Sequence, residues 1–175
     1  MTPTDKHAKD SVDRFIEASL PLFPGVDAET EGVIDRIHKV ARHAKRLTER
    51  TVTRFGLNAG EFHVLVKLRV APDHRLSAGD LAEHLDLSTG AMTNRLDGLE
   101  ENGLITRERA SADRRSVLVT MTPKGSEVVI QAVEAAGKEE MHLLGALSDP
   151  QRRQLNALLR TLVIAIEIPV PDAKD

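Results

Sequence analysis

Apolar residues recur at three- and four-residue intervals over most of this chain, a spacing that predicts a mainly helical protein. Residues 11–20 place Val12, Phe15, Ile16 and Leu20 on a narrow apolar face behind a Ser11 cap, and Pro21 and Pro24-Gly25 end that helix. A helix so short is marginal alone, so it must dock on something. A long helix is predicted from about Ala28 to Phe55. Val33, Ile37, Val40, Ala44 and Leu47 form its apolar stripe, and Gly56 stops it. Its other face carries Arg36, Lys39, Arg42, Lys45, Arg46 and Arg50, which reads either as solvated surface or as a phosphate contact. Asn58 and Glu61 stand as N-cap and third helical residue of the next helix. That helix runs to about Arg69 and should bury Phe62, Leu65, Val66 and Leu68. Residues 71–74 read as a turn.

The spacing then changes. Ser77 caps a short helix through Leu85, Asp86-Leu87 links, and Ser88 caps a second short helix that closes at Gly103. Two short helices joined by a brief link make a helix-turn-helix pattern, a weak signal by itself. The next segment strengthens it. Leu104-Ile105 leads one strand. Val117, Val119 and Met121 alternate along another, with the tip of the hairpin over 110–115. A helix-turn-helix followed at once by a basic hairpin is a winged helix. Thr122-Pro123 opens a helix to about Leu147, and Ser148-Asp149-Pro150-Gln151 opens the last one, with Leu155, Leu158, Leu159, Leu162, Val163 and Ile166 apolar.

This pattern gives a fold class and a division of the chain. The class is mainly α with a small β-hairpin wing, a winged helix-turn-helix. Residues 1–10 are expected to be a disordered tail and 167–175 a second tail. Residues 11–166 form one unit, in which 57–122 is the DNA-binding lobe and 11–55 and 123–166 are dimerisation helices. The stripes at the two ends are not needed to close a small winged-helix core. Burying them against a two-fold mate makes a homodimer, whose two winged helices would read half-sites roughly 10 bp apart on a pseudo-palindrome.

Composition narrows the function. The chain of 175 residues has no cysteine, which excludes thiol redox sensing, disulfides and thiolate metal sites. Its formal net charge of -3 counts mildly against a nucleic-acid binder, although the footprint of such a protein is local. No signal peptide or membrane-spanning run is visible, so the cytoplasm is the expected compartment, with no membrane partner.

The candidate chemistry sits on the helix from Ser88. Its first half presents Ser88, Thr89, Thr93, Asn94 and Arg95, while the acids Asp97, Glu100 and Glu101 gather at the far end. That polarity suits insertion by the N-terminal end, where free N–H groups favour phosphate and Thr or Asn reach base edges. In the hairpin, Arg107, Arg109, Arg114 and Arg115 supply charge to phosphates or a narrow minor groove, and Asp113 shapes the tip by holding one arginine. Residues 88–115 carry five arginines and five acids, so the DNA-binding case rests on placement rather than net charge.

The order of elements, the stretch LAEHLDLSTGAMTNRLDGLEENGLITR, the D-x-R-R tip at Asp113-Arg114-Arg115 and Met121-Thr122-Pro123-Lys124-Gly125 together resemble the MarR family of winged-helix regulators, from about Ile34 to Ile166. The resemblance implies a homodimer that binds a palindromic operator on double-stranded DNA, usually as a repressor, and is released by a small anionic effector. The extra N-terminal helix resembles the branch that responds to urate or aconitate-type acids. By position, that branch implies Phe15, His63, Arg95 and Arg107 as ligand-binding residues for a carboxylate or purine-like acid. Phe15 lacks the indole donor of the branch's tryptophan, and His63 replaces an aspartate, which reverses the local electrostatics.

Other classes stay in view. No nucleotide-binding, esterase or metalloprotease motif is present, so no enzyme and no cofactor is expected. The histidines show no pair with clean ligand spacing on one face, so no metal is expected. A metal- or pH-responsive regulator on the same fold, or an interaction module that does not bind DNA, is the alternative.

Overall fold

The computed structural model describes residues 8–109 and 117–168. Ten regular elements follow one another among them: α1 (Ser11–Ser19), α2 (Ala28–Thr53), α3 (Ala59–Val70), β1 (Arg75–Ser77), α4 (Ala78–His84), α5 (Thr89–Glu101), β2 (Ile105–Arg109), β3 (Val117–Met121), α6 (Pro123–Leu143) and α7 (Asp149–Glu167). The chain divides into two units at Ala59–Gly60, the first turn of α3.

In the first unit, α1 docks on α2, as its short length requires. Its cap is Asp10 and not Ser11. The Asp10 carboxylate accepts from the backbone N–H of Val12 (2.7 Å) and Asp13 (2.9 Å), and Asp13 accepts in return from the Asp10 N–H (3.0 Å). Two acids three residues apart close a reciprocal box, which Ser11 cannot do because residue 14 is an arginine. The Ser11 hydroxyl instead receives Lys39 of α2. Val12 is buried, and Arg36 of α2 reaches Asp10 (3.0 Å) and Asp13 (2.5 Å). The backbone N–H of Asp13, with Arg36 adding to it, holds the Asp10 carboxyl down at about 2. Gly32 leaves room for the Arg36 side chain: a Cβ there would lie 2.9 Å from Arg36 Nη1.

The second unit builds its core from Leu65, Leu68, Leu81, Met92, Leu96, Leu99, Ile105, Val119 and Val129. On α3 the buried side chains are Phe62, Val64, Leu65 and Leu68. Val66, expected inside, is only half-buried, and Val64 takes the interior place. The turn after α3 is a 3-10 turn, Pro72–His74, with Asp73 (φ 52) and His74 (φ 54) in the left-handed region. It delivers β1, a strand that the hydrophobic spacing does not reveal. The sheet is therefore three-stranded and antiparallel in the order β1-β3-β2 rather than a bare hairpin. Leu76 faces Val119 and Arg107 faces Val119 from the other side. Along β3, Val119 and Met121 are buried and Val117 is exposed.

The sheet leads into α6 through a tight junction. Thr122 caps α6 by accepting the Gly125 N–H (3.0 Å) and donates its hydroxyl to the Gly103 carbonyl (2.8 Å). Gly125 sits against the start of β2, where an added Cβ would lie 2.1 Å from the Leu104 carbonyl oxygen. Backbone cannot swing aside as a side chain can. Gly125→Ala is therefore expected to cost about 1–3 kcal/mol of stability, read as a lower urea midpoint with an unchanged slope. An unaltered midpoint would show that the junction has slack.

The helix predicted to reach Leu147 ends at Leu143, and a 3-10 turn follows over Leu144–Ala146. In α7, Gln151 accepts from the Ser148 N–H and hydroxyl, both at 2.8 Å. No residue of α7 is buried.

Candidate nucleic-acid interface

The reading unit is α4, its link and α5. Ser77 ends β1 and also caps α4, accepting the Asp80 N–H (3.0 Å). Asp86, at φ 51, turns the chain between the helices. Ser88 caps α5 by accepting the Ala91 N–H (3.3 Å). Met92, Leu96 and Leu99 pin α5 to the core, so the opposite face is solvent-facing. Ser88, Thr89, Gly90, Thr93 and Asn94 are all exposed there, and the first turn holds no acid. The Thr93 hydroxyl donates to the Thr89 carbonyl (2.9 Å), which leaves its oxygen able to act only as an acceptor toward another molecule. A Cβ on Gly90 would meet no protein atom, so packing within the chain does not demand that glycine. A helical glycine costs up to about 1 kcal/mol against alanine, and close approach of another molecule is what such a position permits.

Arg95 is half-buried. Its side chain crosses the start of α3 at Gly60, where a Cβ would fall 2.5 Å from Arg95 Nε and 2.8 Å from Cζ. A second glycine repeats the device, since a Cβ on Gly98 would lie 2.6 Å from Glu61 Oε1. The space these two glycines leave is taken by the Arg95 and Glu61 side chains. Neither glycine was visible as functional in the sequence, because the lack of a side chain carries no periodic signal.

Arg107 lies on β2 and is turned back onto α5. Its Nε and Nη2 donate to Glu100 Oε2 at 2.9 and 2.6 Å, its Nη1 lies 2.7 Å from Asp97 Oδ1, and its backbone N–H donates to Glu100 Oε1 at 3.1 Å. The Arg107 guanidinium holds the Glu100 carboxyl below the ordinary glutamate range, and Glu100 in turn raises Arg107. Arg107 thus occupies its donors with two carboxylates of its own chain. Arg109, two residues on, is exposed at the end of β2. Arg75 spans the sheet to Glu108. Asp113, Arg114 and Arg115 lie outside the described residues.

The remaining expected site residues fall in different places. Phe15 belongs to the first unit and is 62% exposed. His63 is exposed on α3, its ring tilted against Phe62 with centroids 5.7 Å apart. Among the described residues no three His, Asp or Glu side chains converge as a metal site, and no helix is long and apolar enough to cross a membrane.

The sequence profile of the MarR family matches residues 57–117, from just before α3 to the first residue of β3. The transcriptional regulator PecS of Dickeya dadantii is 30% identical over 138 residues, 78% of this chain and 82% of PecS. The transcriptional repressor YetL of Bacillus subtilis is 27% identical over 112 residues, 64% of this chain and 67% of YetL. Among solved structures, a cysteine-to-serine mutant of E. coli MarR complexed with operator DNA superposes with a TM-score of 0.65 at 25% identity, covering 82% of this chain and 96% of that one. These relatives are transcriptional regulators and not enzymes. The chain is a member of the MarR family of transcriptional regulators.

Proposed function

We propose that this regulator binds double-stranded DNA as a homodimer, acts as a repressor at a pseudo-palindromic operator, and is released by a small anionic effector. The observation that carries the DNA reading is the acid-free, exposed first half of α5, with Ser88, Thr89, Thr93 and Asn94 beside the unpacked Gly90. Exposed N–H groups at the helix start attract phosphate, and Thr and Asn reach base edges. Arg109 and, on the sequence, Arg114 and Arg115 add phosphate or minor-groove contacts, with Asp113 shaping the tip. The operator-bound MarR neighbour and the repressor YetL support the same reading.

The homodimer is supported by α7. That helix of 19 residues buries nothing in a single chain, yet exposes Leu155, Leu158, Leu159, Leu162 and Ile166. A stripe of this kind belongs against a second copy. Selection of duplexes from a random pool tests the reading. An inverted repeat with half-sites roughly 10 bp apart, or a multiple, is expected to be enriched. A pool that stays random contradicts it.

The effector reading rests on the family branch that the sequence resembles, with Arg95 as its central residue and Phe15, His63 and Arg107 as the others implied. Arg95 belongs to the reading helix, so an anion that draws it aside has differential affinity for the free and DNA-bound states. Titrating small carboxylates and purine-like acids against the complex should find one that releases DNA. Arg95→Ala should then weaken that effector by roughly tenfold or more, the loss of a charge-assisted pair. Equal effector affinity in wild type and Arg95→Ala removes this contact.

A further inference from the structure

The strand β2 leaves α5 through only Asn102, Gly103 and Leu104, with Gly103 at φ 69. A three-residue link sets a direction but does not by itself fix the angle between helix and wing. Two further features do. Among the described residues the strand order leaves β2 at an edge, where its outward N–H groups meet no neighbouring strand. Glu100 fills that gap at Arg107: one carboxylate oxygen takes the backbone N–H (3.1 Å), and the other takes Nε (2.9 Å) and Nη2 (2.6 Å). Asp97, one helical turn earlier, takes Nη1 (2.7 Å). The planar guanidinium with its fixed fork of donors suits such a double grip, which a lysine could not reproduce.

The grip is unexpected on charge alone. Asp97 and Glu100 place two negative charges on the helix proposed to approach phosphates, and a simple electrostatic view would have them weaken binding. We infer that Glu100 and Asp97 are positioning residues for DNA reading: through Arg107 they clasp the wing to the reading helix at one angle, so that both can engage the duplex together. Arg107 is then the clasp itself and not a phosphate ligand. This inference rests on the proposed DNA-reading function.

The test uses the full-length protein, the duplex that wild type selects from a random pool, and a scrambled duplex of equal length. Affinities are read by anisotropy from about 50 to 200 mM salt, and hydrogen–deuterium exchange of β2 and β3 is followed without DNA. Glu100→Ala is expected to weaken the selected duplex by roughly tenfold or more, the loss of about one well-placed base contact, while the scrambled duplex binds equally or more tightly. Glu100→Gln keeps an acceptor for the Arg107 N–H and should lose less. Arg107→Ala should reproduce the Glu100→Ala loss with an unchanged salt slope, and the double variant should add little to either. Exchange at β2 should quicken in Glu100→Ala without a comparable change at Leu65 or Leu68 of the core.

A Glu100→Ala protein that binds the selected duplex as well as wild type does, or better, overturns the inference. So does Arg107→Ala with a salt slope smaller by about one per protomer, the signature of a lost phosphate contact. If wild type selects no duplex, it is the DNA reading that fails. The exchange arm still decides whether the clasp exists, and unchanged exchange at β2 in Glu100→Ala would refute it.

Discussion

Aspartate at both Leu158 and Leu162 is expected to leave the protein monomeric and to lower its affinity for the selected duplex by on the order of a thousandfold. Both residues lie on α7, where they are 60% and 48% exposed within one chain. The substitutions therefore remove no contact from the single-chain core, and helix content should stay as in wild type. In the dimer they would bury two charges per protomer in an apolar seam, which an interface cannot tolerate without partners. The loss of DNA affinity follows from linkage. A dimer that holds one half-site presents its second reading helix at an effective concentration near the millimolar range, and a monomer forfeits that gain. Sedimentation equilibrium gives the oligomeric state, and anisotropy gives the affinity. A double variant that remains dimeric, or a monomer that binds as tightly as wild type, would remove α7 from the interface.

The second large effect is expected at Asn94. It is exposed in the first half of α5, and no hydrogen bond to its amide is found among the described residues. Its neighbour Thr93 has already given its hydroxyl proton to the Thr89 carbonyl. Asn94 is thus the α5 side chain best able to make a two-point contact with a base, for which adenine is the geometric match. Asn94→Ala should cost about 1–3 kcal/mol per half-site, so roughly thirtyfold or more for a dimer on two half-sites. The change should relax preference at one position of each half-site and leave the scrambled duplex unaffected. Arg109→Ala should do the opposite, weakening both duplexes alike and reducing the salt slope. Equal losses on both duplexes for Asn94→Ala would make it a backbone contact.

Local signals carried much of the fold. The Ser77 and Ser88 caps, the apolar triplet Met92, Leu96 and Leu99, and the alternation from Val117 to Met121 all stand in the structure where the spacing puts them. Such signals depend on neighbours within one turn or one strand. What escaped depends on distant residues. The strand β1 is three residues long, too short for a period, and exists because β3 lies beside it. The α1 cap moved from Ser11 to Asp10 because Asp13 answers only the latter. Arg107 read as a cation for DNA or effector because a sequence states its charge and not its partner. Glu100 stands seven residues away across a turn, and read only as an acid kept far from the duplex. Gly60 and Gly98 matter through the side chains that fill the space they leave, which no pattern in the chain announces.

Paired in a dimer, the two α5 helices should distinguish one DNA sequence from another. Anisotropy at about 150 mM salt, comparing the selected inverted repeat with its scrambled counterpart, tests it most directly. Two protomers per duplex are expected, with an affinity for the inverted repeat at least ~10³-fold tighter than for the scrambled sequence. Equal affinity for the two duplexes would contradict it.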